Sequence, residues 1–158
     1  MTSRRLQRNV FVLLLVLSCA LRGFAQERKI AVVVNANNGV STLTTAELRK
    51  LFAGEKRSWP GGQPVKLFVR AIGTPEHIAL LKLLGMSDAE YKKHWTEQVF
   101  RGEAQSEPAT LPSNGMQLEA VRSFAGAIAL MPIDDVKAGV KVVKVDGHLP
   151  GEATYSLE

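Results

Sequence analysis

The amino-acid sequence predicts an α/β fold, a mostly parallel or mixed sheet flanked by helices. Three observations carry that reading. Strand-like apolar runs alternate with helix-opening signals along the chain, the pattern of a sheet layered with helices. The first run, Ile30 to Val34, is an unbroken β-branched and alanine stretch, as expected of a strand buried on both faces in a parallel sheet. Two segments, Thr44–Glu47 and Ser87–Glu90, have the reciprocal spacing of a capping box.

The elements follow in order. The strand from Lys29 to Asn35 ends in the turn residues Asn37-Asn38-Gly39. Thr44 then caps a helix with Leu48, Leu51 and Phe52 at helical spacing, and Gly54 is its natural stop. Trp59-Pro60-Gly61-Gly62 reads as a turn with Trp59 as a packing anchor. Val65 to Val69 is a second strand, with Arg70 at its end. Thr74 caps the next helix and Pro75 suits its first position. Ile78, Leu80, Leu81, Leu83 and Leu84 make that helix largely apolar, so burial is expected, and Gly85 closes it. The helix after Ser87 carries Tyr91, Trp95 and Val99 on one face. Residues 101–112 are polar with two prolines and read as a loop. Asn114 to Phe124 reads as a helix with Met116, Val121 and Phe124 as core. Gly126 to Leu130 is a strand closed by Met131-Pro132, and Val140 to Val145 is the last one. The polar tail from Asp146 is expected to be partly loose.

The first 25 residues have a different character. Arg4, Arg5 and Arg8 precede an apolar run from Val10 to Leu21, and Gly23-Phe24-Ala25 supplies small residues for cleavage. This is the secretory pattern, and the run is too short to span a bilayer as a helix. Cleavage is expected after Ala25, leaving one exported domain, 26–158, in the periplasm. An alternative is lipidation at Cys19, within Val16-Leu17-Ser18-Cys19. Four of the 20 Lys and Arg and none of the 15 Asp and Glu lie in this leader, so the remainder is nearly neutral. It has no basic stripe of the kind nucleic-acid binding requires. Beyond the leader there is no cysteine, hence no disulfide and no thiol metal site. His77, His94 and His148 lack the spacing of a zinc motif, and no nucleophile elbow or P-loop occurs. No metal, cofactor or catalytic residue is therefore expected, and the chain is not read as an enzyme.

The strongest functional signal runs from Arg70 to His77. A strand ends in arginine, Gly73 follows, and a helix opens at Thr74. Free N–H groups and the dipole of a helix start favour an anion. Arg70 can clamp an oxyanion through two parallel hydrogen bonds. The same residues also read as a plain helix cap and a surface ion pair.

The stretch from Ile30 to Val143 resembles the phosphate-type periplasmic solute-binding family. The pieces that carry the likeness are VVVNANN at 32–38, LTTAELRKLFAGEKRSW at 43–59, VRAIGT at 69–74 and GAIALMP at 126–132. The resemblance implies a lobe of a type II periplasmic-binding fold, in which two lobes close around a ligand. It implies phosphate or a related oxyanion as ligand and an ABC permease as partner. Arg70, Gly73 and Thr74 match the family's anion loop, and Ser113 and Asn114 fall near a second helix start. The sequence departs from the pattern at Ile72, which stands where the family carries a serine. Glu76 adds a carboxylate to the first turn, and Ala129-Leu130 replace Gly-Tyr. Those departures leave a second expectation open: a lobe that no longer serves transport and binds another envelope protein or serves a sensor.

Overall fold

The computed structural model describes residues 28–157; the leader, its cleavage site and Cys19 lie outside the described residues. Six strands form one mixed sheet in the order β2-β6-β1-β5-β3-β4. They are β1 (Ile30–Asn35), β2 (Thr42–Leu43), β3 (Lys66–Arg70), β4 (Ala109–Leu111), β5 (Ala127–Pro132) and β6 (Val140–Val145). Among the described residues, four α-helices flank them: α1 (Thr45–Phe52), α2 (Pro75–Leu84), α3 (Asp88–Phe100) and α4 (Asn114–Ser123).

The unbroken apolar run of β1 lies mid-sheet, with all six residues buried. It pairs antiparallel with both β5 and β6, Val33 facing Ala129 on one side and Val142 on the other. Every other pairing is parallel, so β1 alone runs against the remaining strands. Two-face burial came from central position and not from parallel pairing. Alternate residues of β1 feed two cores, as the period of a strand dictates. Ile30, Val32 and Val34 pack with Leu48, Leu51 and Phe52 of α1 and Leu80 and Leu83 of α2. Ala31 and Val33 pack on the other face with Leu118 and Val121 of α4.

The helix boundaries follow local chemistry. Thr44 and Ser87 complete their capping boxes with Glu47 and Glu90. Hydrogen bonds from the backbone N–H and hydroxyl of Thr44 hold the Glu47 carboxyl below its usual range. Gly85, with φ 68°, supplies the left-handed close of α2. Trp59 is the expected anchor: it is buried, and its indole N–H donates to Gly126 O at 2.9 Å. The same carbonyl accepts from Lys66 N, also at 2.9 Å. A Cβ on Gly126 would stand 1.9 Å from Pro64 O, so only glycine lets the two chains meet.

Several expectations fail for identifiable reasons. Residues 101–112 are not all loop, because Ala109–Leu111 form β4 alongside Phe68–Arg70. Three residues are too few to show a period, and that strand is held by its partner. The helix from Pro75 is not buried by apolarity alone: Ile78 is exposed, while Glu76 and His77 are buried. Of the stripe read as core on α4, Val121 is buried but Met116 and Phe124 are exposed. On α3, Trp95 is buried and Val99 is exposed. Tyr91 is half-buried, and burial pushes its hydroxyl up to about 12.

The tail is pinned. Tyr155 and Leu157 reach the core of the α1 and α2 face. Asp146, at φ 51°, turns the chain and accepts from Thr45 N at 2.9 Å and from the Thr45 hydroxyl. Those bonds hold the Asp146 carboxyl below its usual range, the hydroxyl bond contributing most.

Two outcomes follow from this packing. Gly126→Ala is expected to destabilise the fold by about 3 kcal/mol, the upper range for overpacking, measured by denaturant unfolding. Asp146 has a depressed folded pKa, so its contribution is present above the unfolded value of about 3.9 and lost as pH falls through the folded one. The melting-temperature gap between wild type and Asp146→Asn is therefore expected to be full at neutral pH and to close in acid.

Candidate functional site

The carboxyl ends of β3 and β4 lie side by side, with Arg70 in register with Leu111. Each strand passes through a short link into a capped helix. After β3, the Thr74 hydroxyl accepts from His77 N at 3.3 Å and donates to Ala71 O at 2.8 Å. After β4, the Ser113 hydroxyl accepts from Met116 N at 3.2 Å. Gly73 stands in the first link at φ 83°, where any side chain would be strained although space is open. The register thus sets Arg70 beside Leu111, two residues before Ser113 and three before Asn114, while Gly73 and Thr74 follow Arg70 in the link after β3. Carboxyl ends of parallel strands are where open α/β sheets take ligands.

Arg70 is not free in this arrangement. Its Nη1 donates to Leu111 O. Its Nε lies 3.8 Å from Glu76 Oε1, and both side chains are nine-tenths buried or more. The ion pair allowed by the sequence is present, but it is buried where a surface pair was expected. Asn114 is engaged as well: its side-chain amide donates to Asp135 Oδ2 at 2.6 Å. Asp135 belongs to a 3-10 turn, Ile133–Asp135, that follows β5 at the same edge. Both helix starts therefore already face a carboxylate of this chain.

Three further residues shape the edge: Glu76 and His77, whose place at the start of α2 was read but whose burial was not, and Gln117, which the sequence reading passed over. His77 is buried, with Nε2 at 2.7 Å from Asp88 Oδ1 and Nδ1 at 3.2 Å from Arg70 O. Gln117 is fully buried on α4 and donates from Nε2 to Phe68 O at 3.3 Å. Glu76 stands on the inward stripe of α2, one and two turns before Leu80 and Leu83. That spacing was the signal available for its burial.

A groove of about 1060 Å3 lies elsewhere, over the amino ends of β3, β4 and β5. Trp95, Lys66, Phe124 and the 102–108 loop line it, with Lys66 Nζ 3.7 Å from the centre of the Phe124 ring. None of the five sequence-predicted residues lines this groove. No metal-binding group of His, Cys, Asp and Glu occurs among the described residues. No helix among them is long and apolar enough to cross a membrane.

No known family profile matches the chain. Its fold is shared with solved phosphate receptors. An ABC-type phosphate transport receptor from Vibrio cholerae superposes with a TM-score of 0.65 at 19% identity, covering 82% of this chain and 52% of that one. PstS from Borrelia burgdorferi gives 0.58 at 13% identity, covering 77% and 49%. A phosphate-bound structure from Clostridium perfringens, assigned as a phosphate ABC transporter substrate-binding protein, gives 0.61 at 21% identity, covering 75% and 45%. The chain spans about half the length of these proteins. At such identities the likeness shows the fold, an α/β lobe of periplasmic binding-protein type, and agrees with the resemblance read from the sequence.

The buried pair makes a direct prediction. Arg70→Ala strands the Glu76 carboxylate in the interior and is expected to cost about 3–5 kcal/mol. Arg70→Met with Glu76→Gln removes both charges and is expected to cost clearly less. Denaturant unfolding of the two variants distinguishes a coupled pair from independent side chains.

Proposed function

We propose that this protein is an exported solute-binding lobe that takes a small oxyanion, phosphate in the first instance, at the carboxyl edge of β3 and β4. One observation carries the reading: Arg70 and two capped helix starts converge at adjacent strand ends. A helix start supplies N–H donors and a positive dipole end, and a buried guanidinium supplies directed donors. The fold shared with phosphate receptors supports the choice of ligand. Arg70, Gly73, Thr74, Ser113 and Asn114 form the site. Delivery to the periplasm follows from the leader ending at Ala25, and an ABC permease is the natural recipient of the ligand. Glu76 competes with the ligand for Arg70, so affinity is set by how readily that pair opens.

A specific observation favours a second reading. Ile72 is 74% exposed and Met116 51% exposed, in the link after β3 and the first turn of α4. Apolar side chains beside an internally paired arginine suit a protein partner better than a hydrated ion. In that reading the lobe is an interaction or sensor-accessory module of the envelope.

Thermal unfolding with millimolar phosphate, against sulfate and chloride at matched ionic strength, separates the two. At about 100 times its dissociation constant a ligand stabilises by roughly 2.7 kcal/mol, a shift of several degrees for a domain of this size. Phosphate is expected to raise the melting temperature more than the control salts do. Glu76→Gln is expected to enlarge that rise, because Arg70 then lacks a competing carboxylate. No phosphate-specific rise in either protein would overturn the oxyanion reading and leave the interaction module.

A further inference from the structure

Behind the carboxyl edge, three buried polar side chains face one small space. Gln117 donates from Nε2 to Phe68 O. A carbonyl oxygen only accepts, so this contact fixes which end of the amide points where. Gln117 Oε1 is then left without a hydrogen-bond partner, and so is Arg70 Nε, though both atoms are shielded from solvent. Arg70 Nε and Glu76 Oε1 stand 3.8 Å apart, beyond a direct hydrogen bond. A polar gap of that size is a natural place for a bridging water.

The space itself fits. A cavity of about 10 Å3 is lined by Arg70, Glu76 and Gln117 within apolar walls that include Phe52, Leu80 and Leu130. That is the threshold volume for one water, which also needs two to four polar partners. An unsatisfied buried donor or acceptor is costly, so two of them in one cavity favour filling it. The geometry points to a site for one internal water. It accepts from Arg70 Nε–H and donates to Gln117 Oε1 and to the Glu76 carboxylate. One molecule satisfies both stranded atoms and closes the gap in the ion pair.

The site joins polar side chains from three elements. Arg70 ends β3, Glu76 opens α2, and Gln117 lies on α4 across the sheet. Through the water, Gln117 becomes a positioning residue for the guanidinium of Arg70, holding its Nε turned inward. This holds whether or not an anion binds at the outer face, since it rests only on buried atoms.

A crystal structure of the protein at about 1.5 Å resolution is the direct test, at the precision where ordered waters and hydrogen-bond distances are read. The expected result is one ordered water within hydrogen-bond distance of Arg70 Nε, Gln117 Oε1 and a Glu76 oxygen. Direct contact between Gln117 and Arg70, or an apolar void with no water density, overturns the proposal. Oxygen-17 relaxation dispersion in solution gives a second reading. Gln117→Met is expected to hold one long-lived water fewer than wild type, and an unchanged number overturns the assignment. Should Gln117→Met not fold, the wild-type crystal structure alone decides.

Discussion

The structure depends on β1 being buried on both faces and paired on both edges. A strand so placed has no solvent to satisfy its backbone, so β5 and β6 must both lie against it. Its side chains must also be matched by apolar layers above and below. That requirement places α1 and α2 over Val32 and Val34, and α4 beneath Val33. The opposed direction of β1 leaves the other strands pointing the same way. Their carboxyl ends, and the links that follow them, therefore collect at one edge of the sheet.

That edge is where polar chemistry concentrates, and the chain meets much of it with its own carboxylates. The start of α1 faces Glu47 and Asp146, the start of α2 carries Glu76, and Asn114 at the start of α4 binds Asp135. Each contact suits the positive end of a helix dipole. The first two reward local order, since capping boxes and the tail clamp stabilise without burying charge. The pair of Arg70 and Glu76 differs, because both groups leave water. A buried pair is weak evidence for stability, since desolvation offsets attraction. Its location at the strand ends, with Gln117 of α4 lining the same small cavity, sets it apart from the surface pairs elsewhere in the described residues.

A solute-binding edge and a self-satisfied edge are two uses of the same architecture. Helix starts beside parallel strand ends hold whatever negative group is available. In this chain an internal carboxylate is tethered and close, so its effective concentration is high. On the proposed reading, an external oxyanion has to compete with it through added contacts at Gly73, Thr74 and Ser113. The exposed Ile72 and Met116 alter the balance further, because they give that edge an apolar component. Under that proposal, the balance between tethered and free anion is an energetic question about one ion pair.

Local physics determined most of the elements from the sequence alone. Capping at Thr44, Thr74, Ser87 and Ser113, the glycine close at Gly85, and the apolar runs of β1, β5 and β6 depend on neighbours in the chain. Arg70, Gly73 and Thr74 were legible as a group for the same reason, and so was the anchor at Trp59. Tertiary structure alone decided what depends on distant partners. β4 exists because β3 offers it an edge, and the tail is ordered because Tyr155 and Leu157 find a core built by other elements. The direction of β1 was also invisible, since burial on two faces is the same for either pairing. So too was the state of the site: helical spacing puts Glu76 on the inward stripe of α2, but no local rule pairs it with Arg70 or brings Gln117, forty-seven residues after Arg70, to the same cavity. Propensity and capping act over a few residues, whereas the partner of a buried charge is chosen by packing.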